Sequence, residues 1–146
     1  MDTIIVLLTL INSYRADYKL PPLRLDSSLN KVAMAHAKDF CDNVKEGNGH
    51  LWSDGSIGQK ACEKSLEYGY PVAAAEIAHY HYPDPGKLSC DPKCCFMDWV
   101  RSPDHSDVIL ERNSASTYDW KACGIAIYKG FACVWFGIME IFYTKK

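Results

Sequence analysis

An α+β fold is predicted for these 146 residues by three observations. Apolar residues recur at helical spacing over residues 4–14, a second helical stripe runs over residues 29–44, and the chain closes in a β-branched and aromatic run that reads as a hairpin. Helices grouped ahead of paired strands, instead of alternating with them, are the pattern of an α+β domain. The length suits one compact domain over residues 1–146, and no break in composition divides it.

The first helix is expected over residues 2–18, where Ile4, Leu7, Leu8, Ile11 and Tyr14 form a stripe broadened by Ile5 and Leu10, and Pro21-Pro22 stops it. Asp26 or Ser27 caps the second, whose Leu29, Val32, Ala33, His36, Phe40 and Val44 share one face until Gly47-Asn48-Gly49. Residues 48–92 are rich in Gly, Ser, Pro and Tyr, with a short helical segment near 60–68 and no sustained periodicity. Such stretches often carry function. Pro92 suits the first turn of a helix running to Arg101, with Phe96 and Trp99 inward and Ser102-Pro103 closing it.

The hairpin comprises residues 124–128, a turn at Lys129-Gly130, and residues 131–143; its continuous apolarity implies burial on both faces. A two-residue turn sets Tyr128 opposite Phe131 and Ala126 opposite Cys133. Cys123 is then out of direct reach of Cys133 unless a bulge shifts the register.

Sixteen basic and 18 acidic residues leave a formal charge of −2, with no basic block to follow a phosphate backbone, so nucleic acid is not expected as a partner. No apolar run approaches the roughly 20 residues of a membrane-spanning helix. Seven cysteines favour an oxidising, extracellular compartment and two or three disulfides, with at least one thiol unpaired or paired between molecules. Cys90, Cys94 and Cys95 lack the paired spacing of a structural zinc site and read as loop stapling. The apolar run from Ile4 to Leu8 follows an aspartate, so it reads as helix and not as a signal peptide; the signal of a secreted protein is expected to have been removed, with Met1 an added start.

Three segments carry candidate chemistry: Gly49-His50-Leu51-Trp52, Ala75-Glu76-Ile77-Ala78, and Trp99-Val100-Arg101-Ser102-Pro103-Asp104-His105. Two imidazoles, His50 and His105, supply nitrogen ligands to Zn²⁺, and the Glu76 carboxylate supplies a third ligand or orients a bound water. Three readings fit these residue types: a weakly held divalent metal, a metal-dependent hydrolase with Glu76 as general base, and a hydrogen-bonded network bracing irregular loops. Ser53 and Ser102 read as turn or capping residues. His79 and His81 alternate as a ligand pair would on a strand, but no third ligand accompanies them. His36 falls on the apolar face of the second helix and reads as a core or core-edge histidine. Trp52, Tyr68, Tyr70, Tyr80 and Tyr82 are candidates to line a groove.

Taken in order, these pieces resemble the CAP superfamily of cysteine-rich secretory, antigen 5 and pathogenesis-related proteins. The resemblance rests on Leu10-Ile11-Asn12-Ser13-Tyr14-Arg15 with Leu20-Pro21-Pro22-Leu23, on residues 33–39, His50 and Glu76-Ile77-Ala78, and on Trp99 with Ser102-Pro103 and His105. Gly124-Ile125-Ala126-Ile127-Tyr128 and Val134-Trp135-Phe136-Gly137 complete it. It implies a three-layer α-β-α sandwich around a central, mainly antiparallel sheet, and a cleft to which His50, Glu76 and His105 carry over. The family's second acid, on the tryptophan helix, has no direct match; Asp98 is the nearest stand-in. The family further implies a secreted, monomeric binding or interaction module for a small lipid, sterol or other extracellular ligand, with zinc or another divalent cation in the cleft. The metal-dependent hydrolase using His50, His105 and Glu76 is the alternative.

Overall fold

The computed structural model describes residues 2–80 and 91–141. Helix α1 (Thr3–Asp17) starts where the Asp2 carboxylate accepts from the Ile4 amide and buries Leu7, Ile11 and Arg15 on one face. It ends ahead of the prolines, at Lys19, whose φ of 62° is left-handed. The Asn12 side chain then bonds both backbone groups of Leu23, leading the chain into β1 (Arg24–Leu25). Asp26 caps α2 (Ser27–Asp39) by accepting from Leu29, and one π-helical turn over Phe40–Val44 extends it.

The segment from 48 to 92 departs from expectation. The helix expected over residues 60–68 is two single turns, α3 (Gln59–Cys62) and α4 (Lys64–Glu67), and the stretch also contains a strand, β2 (Ala75–Tyr80). Helix α5 (Pro92–Arg101) has the expected bounds and is followed at once by α6 (Pro103–Leu110). The hairpin is β3 (Ala122–Tyr128) and β4 (Phe131–Gly137), with Tyr128 opposite Phe131 and Ala126 opposite Cys133 as the turn length requires. The second strand stops at Gly137, short of the expected 143. There the Tyr70 hydroxyl packs where a Gly137 Cβ would lie and exchanges hydrogen bonds with the Met139 backbone, turning the chain out of the ladder. Residues 142 and 143 lie outside the described residues.

The sheet order is β1-β3-β4-β2. The β3-β4 and β4-β2 pairs are antiparallel and β1 joins β3 in parallel, so the sheet is mixed. Successive residues of β4 enter opposite layers. Ala132, Val134 and Phe136 pack with α1, α5 and α6 around Trp99 and Trp120, while Phe131, Cys133 and Trp135 pack with α2 around Phe40 and Trp52. This is the α-β-α sandwich.

Two polar devices lock the layers. Arg15, fully buried, donates to the carbonyls of Pro21 and Ile109 and pairs with Glu111 at 2.8 Å, tying α1 to the end of α6. On the opposite face α2 crosses β3 so closely that Asn30 Oδ1 accepts from the Ile125 amide. A Cβ at Gly124 would lie 2.0 Å from the Leu29 carbonyl carbon.

The cysteines depart from the disulfide expectation. Cys41, Cys62, Cys94, Cys123 and Cys133 are free thiols, and Cys95 is disulfide-bonded. Among the described residues five thiols are free where two or three bridges were expected, and Cys90 lies outside the described residues. Cys41, Cys123 and Cys133 serve as small core residues, and the thiols of Cys41 and Cys133 donate to the carbonyls of Tyr128 and Ala33.

Gly124→Ala is expected to cost roughly 3 kcal/mol, since rigid helix backbone must move to admit the methyl. Urea unfolding would show a lower midpoint at unchanged slope; an unchanged midpoint would mean that α2 does not pack so closely on β3.

Candidate functional site

Edge strand β2 carries the site. Glu76 lies opposite Trp135, and its neighbours Ala78 and Tyr80 pack in the α2 layer while Ile77 packs in the other. The strand is held to α5 by the Trp99 indole, whose N–H donates to the Ala78 carbonyl at 3.1 Å.

Glu76 is only 5% exposed, and both of its oxygens are taken. Oε2 lies 2.5 Å from His36 Nδ1 and Oε1 lies 2.8 Å from His50 Nδ1. Burial pushes the Glu76 carboxyl up, but the hydrogen bonds and charges of His36 and His50 outweigh it and hold the group below its ordinary 4.5. The Glu76 hydrogen bond in turn raises His50 above 6.5, against the opposing effect of its burial.

His50 is presented by an Asx turn: Asn48 Oδ1 accepts from the His50 amide, and the Asn48 carbonyl from Leu51. His36 is fully buried on α2, stacked on Trp52 at 4.5 Å between ring centroids, and its Nε2 faces the Leu51 carbonyl at 3.3 Å. The expected core histidine is therefore the second anchor of the Glu76 carboxylate. Sequence shows only that it lies on an apolar face; that Glu76 faces it follows from the pairing of β2 with β4.

His105 is half-buried in the first turn of α6. Its Nδ1 hydrogen-bonds Ser102 Oγ at 2.8 Å, and the hydroxyl makes no cap on the helix it precedes. Burial, then the charge of nearby His50, pushes His105 below 6.5. Asp98 does not partner it; Asp98 pairs with His79 at 3.0 Å. The side chain bonded to the His105 ring is thus Ser102 and not the expected stand-in, Asp98. His81 and Tyr82 lie outside the described residues.

A cavity of about 290 Å³ opens beside Glu76 and His50, walled by Ile57, Ala61, Cys62 and Trp135. The expected aromatic lining is used elsewhere. Trp52 stacks on His36, the Tyr70 hydroxyl bonds the Met139 backbone, the Tyr80 hydroxyl bonds the Gly47 carbonyl, and Tyr68 packs at the edge of the α2 core. Ser53 is a turn residue, its amide and hydroxyl bonded to Asp39.

The donor set can be tested against a metal. His36, Glu76 and Cys133 bring a nitrogen, an oxygen and a sulfur within 4.8 Å of one another, a group that could hold an ion. However, the 2.5 Å between His36 Nδ1 and Glu76 Oε2 is a hydrogen-bond distance, and burial with the Glu76 charge keeps the Cys133 thiol protonated, its pKa well above 9.0. His50 and His105 offer a different pair of ring nitrogens. Each is fixed through Nδ1 and has no hydrogen-bond partner on Nε2 among the described residues, the arrangement in which an outer partner orients a ligating imidazole.

The sequence model of CAP, the cysteine-rich secretory protein family, matches residues 8–129. No curated protein matches the chain. Among solved structures, an extracellular SCP-domain protein of Bacillus anthracis superposes with a TM-score of 0.66 at 22% identity, over 89% of this chain and 38% of its own. An outer surface protein of Borrelia burgdorferi gives 0.69 at 19% identity over 96% of this chain and 97% of its own. A cysteine-rich secretory protein of Staphylococcus aureus gives 0.60 at 19% identity over 92% and 37%. The chain thus spans under two fifths of the Bacillus and Staphylococcus proteins, and at these identities the likeness shows the fold. Among the described residues no helix is long and apolar enough to cross a membrane.

Glu76→Ala is expected to destabilise by about 3 to 5 kcal/mol near pH 5.5, because it removes the shared partner of two imidazoles. The Glu76 pKa is lowered on folding, so its contribution is present above 4.5 and lost as pH falls through the folded value. The His50 pKa is raised, so its contribution is full below 6.5 and lost as pH rises through its folded value. The gap between wild type and variant in urea unfolding should therefore narrow on either side of this window; a gap independent of pH would contradict the network.

Proposed function

Because the chain belongs to the CAP family of cysteine-rich secretory proteins, we propose that it is an extracellular binding module whose cleft holds a divalent cation between His50 and His105. The observation that carries this reading is the matched anchoring of the two rings, Nδ1 of one on Glu76 and Nδ1 of the other on Ser102, with Nε2 of each left for a ligand. Zinc suits such a pair of neutral imidazoles with open positions remaining. A cation there would supply Lewis acidity to an oxygen of the bound ligand.

Glu76 serves this site from outside the coordination sphere. With its side chain buried and both oxygens bonded, it is unsuited to be a third ligand, and it is equally unsuited to take a proton from water as the general base of a hydrolase. Binding is therefore favoured over turnover. A hydroxyl partner on His105 in place of a carboxylate gives that ring less negative charge to strengthen its basicity, which favours weak, exchangeable metal binding.

The cavity of about 290 Å³ sits at the lower end of the ~300–1,000 Å³ typical of ligand pockets. It accommodates a small molecule or one end of a longer lipid, with an apolar wall at Ile57 and Ala61 and the imidazole of His50 at the polar end. A whole sterol would extend beyond it.

Calorimetric titration of Zn²⁺ into metal-free protein should show one site of micromolar order, lost in the His50→Ala, His105→Ala double variant, with far-ultraviolet circular dichroism unchanged. Equal binding by wild type and double variant would overturn the assignment.

A further inference from the structure

His36 touches Glu76 on one side and the backbone next to His50 on the other. Nδ1 faces Glu76 Oε2 at 2.5 Å, and Nε2 faces the carbonyl of Leu51, which directly follows His50. The residue is thus linked to His50 twice, through the carboxylate that grips its ring and through the loop that carries it.

The surroundings leave the His36 ring little freedom. It is fully buried, one face lies on Trp52 at an interplanar angle of 15°, and the rings of Phe131 and Trp135 meet it edge-on. Lys64 Nζ lies 5.0 Å from the Trp52 ring, adding a cation–π contact to the stack.

We propose that His36 is a positioning residue of the metal-binding cleft: it fixes the Glu76 carboxylate so that His50 stays bonded through Nδ1 and presents Nε2 to the ion. His36 itself reaches no ligand. This rests on the assignment of His50 as a metal ligand, and the physical reason lies in Glu76. Without the His36 donor, the buried carboxylate would lose its imidazole partner on Oε2 and keep only the weak Cys133 thiol beside it, at a cost it can reduce by turning. Turning withdraws Oε1 from His50, and an imidazole without its outer partner loses its fixed tautomer and orientation.

Two conservative variants separate this role from simple packing. The side-chain amide nitrogen of asparagine can overlay the position of Nδ1, and that of glutamine the position of Nε2. H36N therefore keeps a donor for Glu76, whereas H36Q keeps one for Leu51 and deserts Glu76. Zinc affinity would be measured by calorimetry, and the ¹⁵N signals of the His50 ring recorded in the metal-free protein. H36Q should bind zinc ten- to a hundredfold more weakly and show His50 tautomer signals shifted from wild type, while H36N restores most of both.

Wild-type affinity and unchanged His50 signals in H36Q would overturn the proposal, as would equal losses in H36N and H36Q. Should the wild type itself bind no zinc, the metal assignment fails, and the His50 signals of the two variants still decide whether His36 positions that ring. If H36Q does not fold, H36F, which retains an aromatic face for Trp52 but no donor, replaces it with the same expectation.

Discussion

A buried carboxylate held between two imidazoles organises this molecule's functional edge. Removing Glu76 from water costs free energy that only close donors return, and His36 and His50 supply them from opposite sides, one from a core helix and one from an irregular loop. The arrangement couples three parts of the chain that share no local signal: α2, the Asx turn at Asn48, and edge strand β2. It also sets the direction of the His50 ring.

The rest of the architecture serves to hold that edge strand in place. β4 sends alternate side chains into two separate apolar layers, and edge strand β2 follows it, with Ile77 buried in one layer and Ala78 and Tyr80 half-buried against the other. α2 comes within backbone contact of β3 at Gly124, which fixes the depth at which His36 meets the sheet. From the other layer, Trp99 bonds the Ala78 carbonyl and so joins α5 to the strand that bears Glu76. His105 belongs to the continuation of that same layer, at the start of α6. His50 and His105 are therefore carried by different parts of the fold, one by the loop bonded to β2 through Glu76 and the other by α6.

Much of this fold is legible in the sequence where local rules suffice. Asp26 caps α2, Pro92 opens α5, and the two-residue turn at Lys129-Gly130 sets the hairpin register. The strand β2 is not legible because its six residues mix alanines with charged and aromatic groups and show no sustained alternation, and its identity comes from pairing with β4. β1 has two residues and exists through its parallel contact with β3. In the site, His50 and Glu76 can be selected from sequence, whereas the roles of His36 and Ser102 cannot. An apolar helix face and a pre-proline serine are ordinary structural positions, and only tertiary contact turns them into partners of Glu76 and His105. Cysteine content was the weakest guide. Three of the thiols fill core space that a small apolar side chain would also fill.

The most direct measurement is the titration of the Glu76 side-chain carboxyl by carbon-detected nuclear magnetic resonance in metal-free protein, with Glu76→Gln used to assign the signal. A carboxylate held by two imidazoles stays ionised to a pH below its ordinary 4.5 despite its burial. A midpoint above 4.5 would mean that desolvation dominates, and that the bridge between His36 and His50 does not hold the site together.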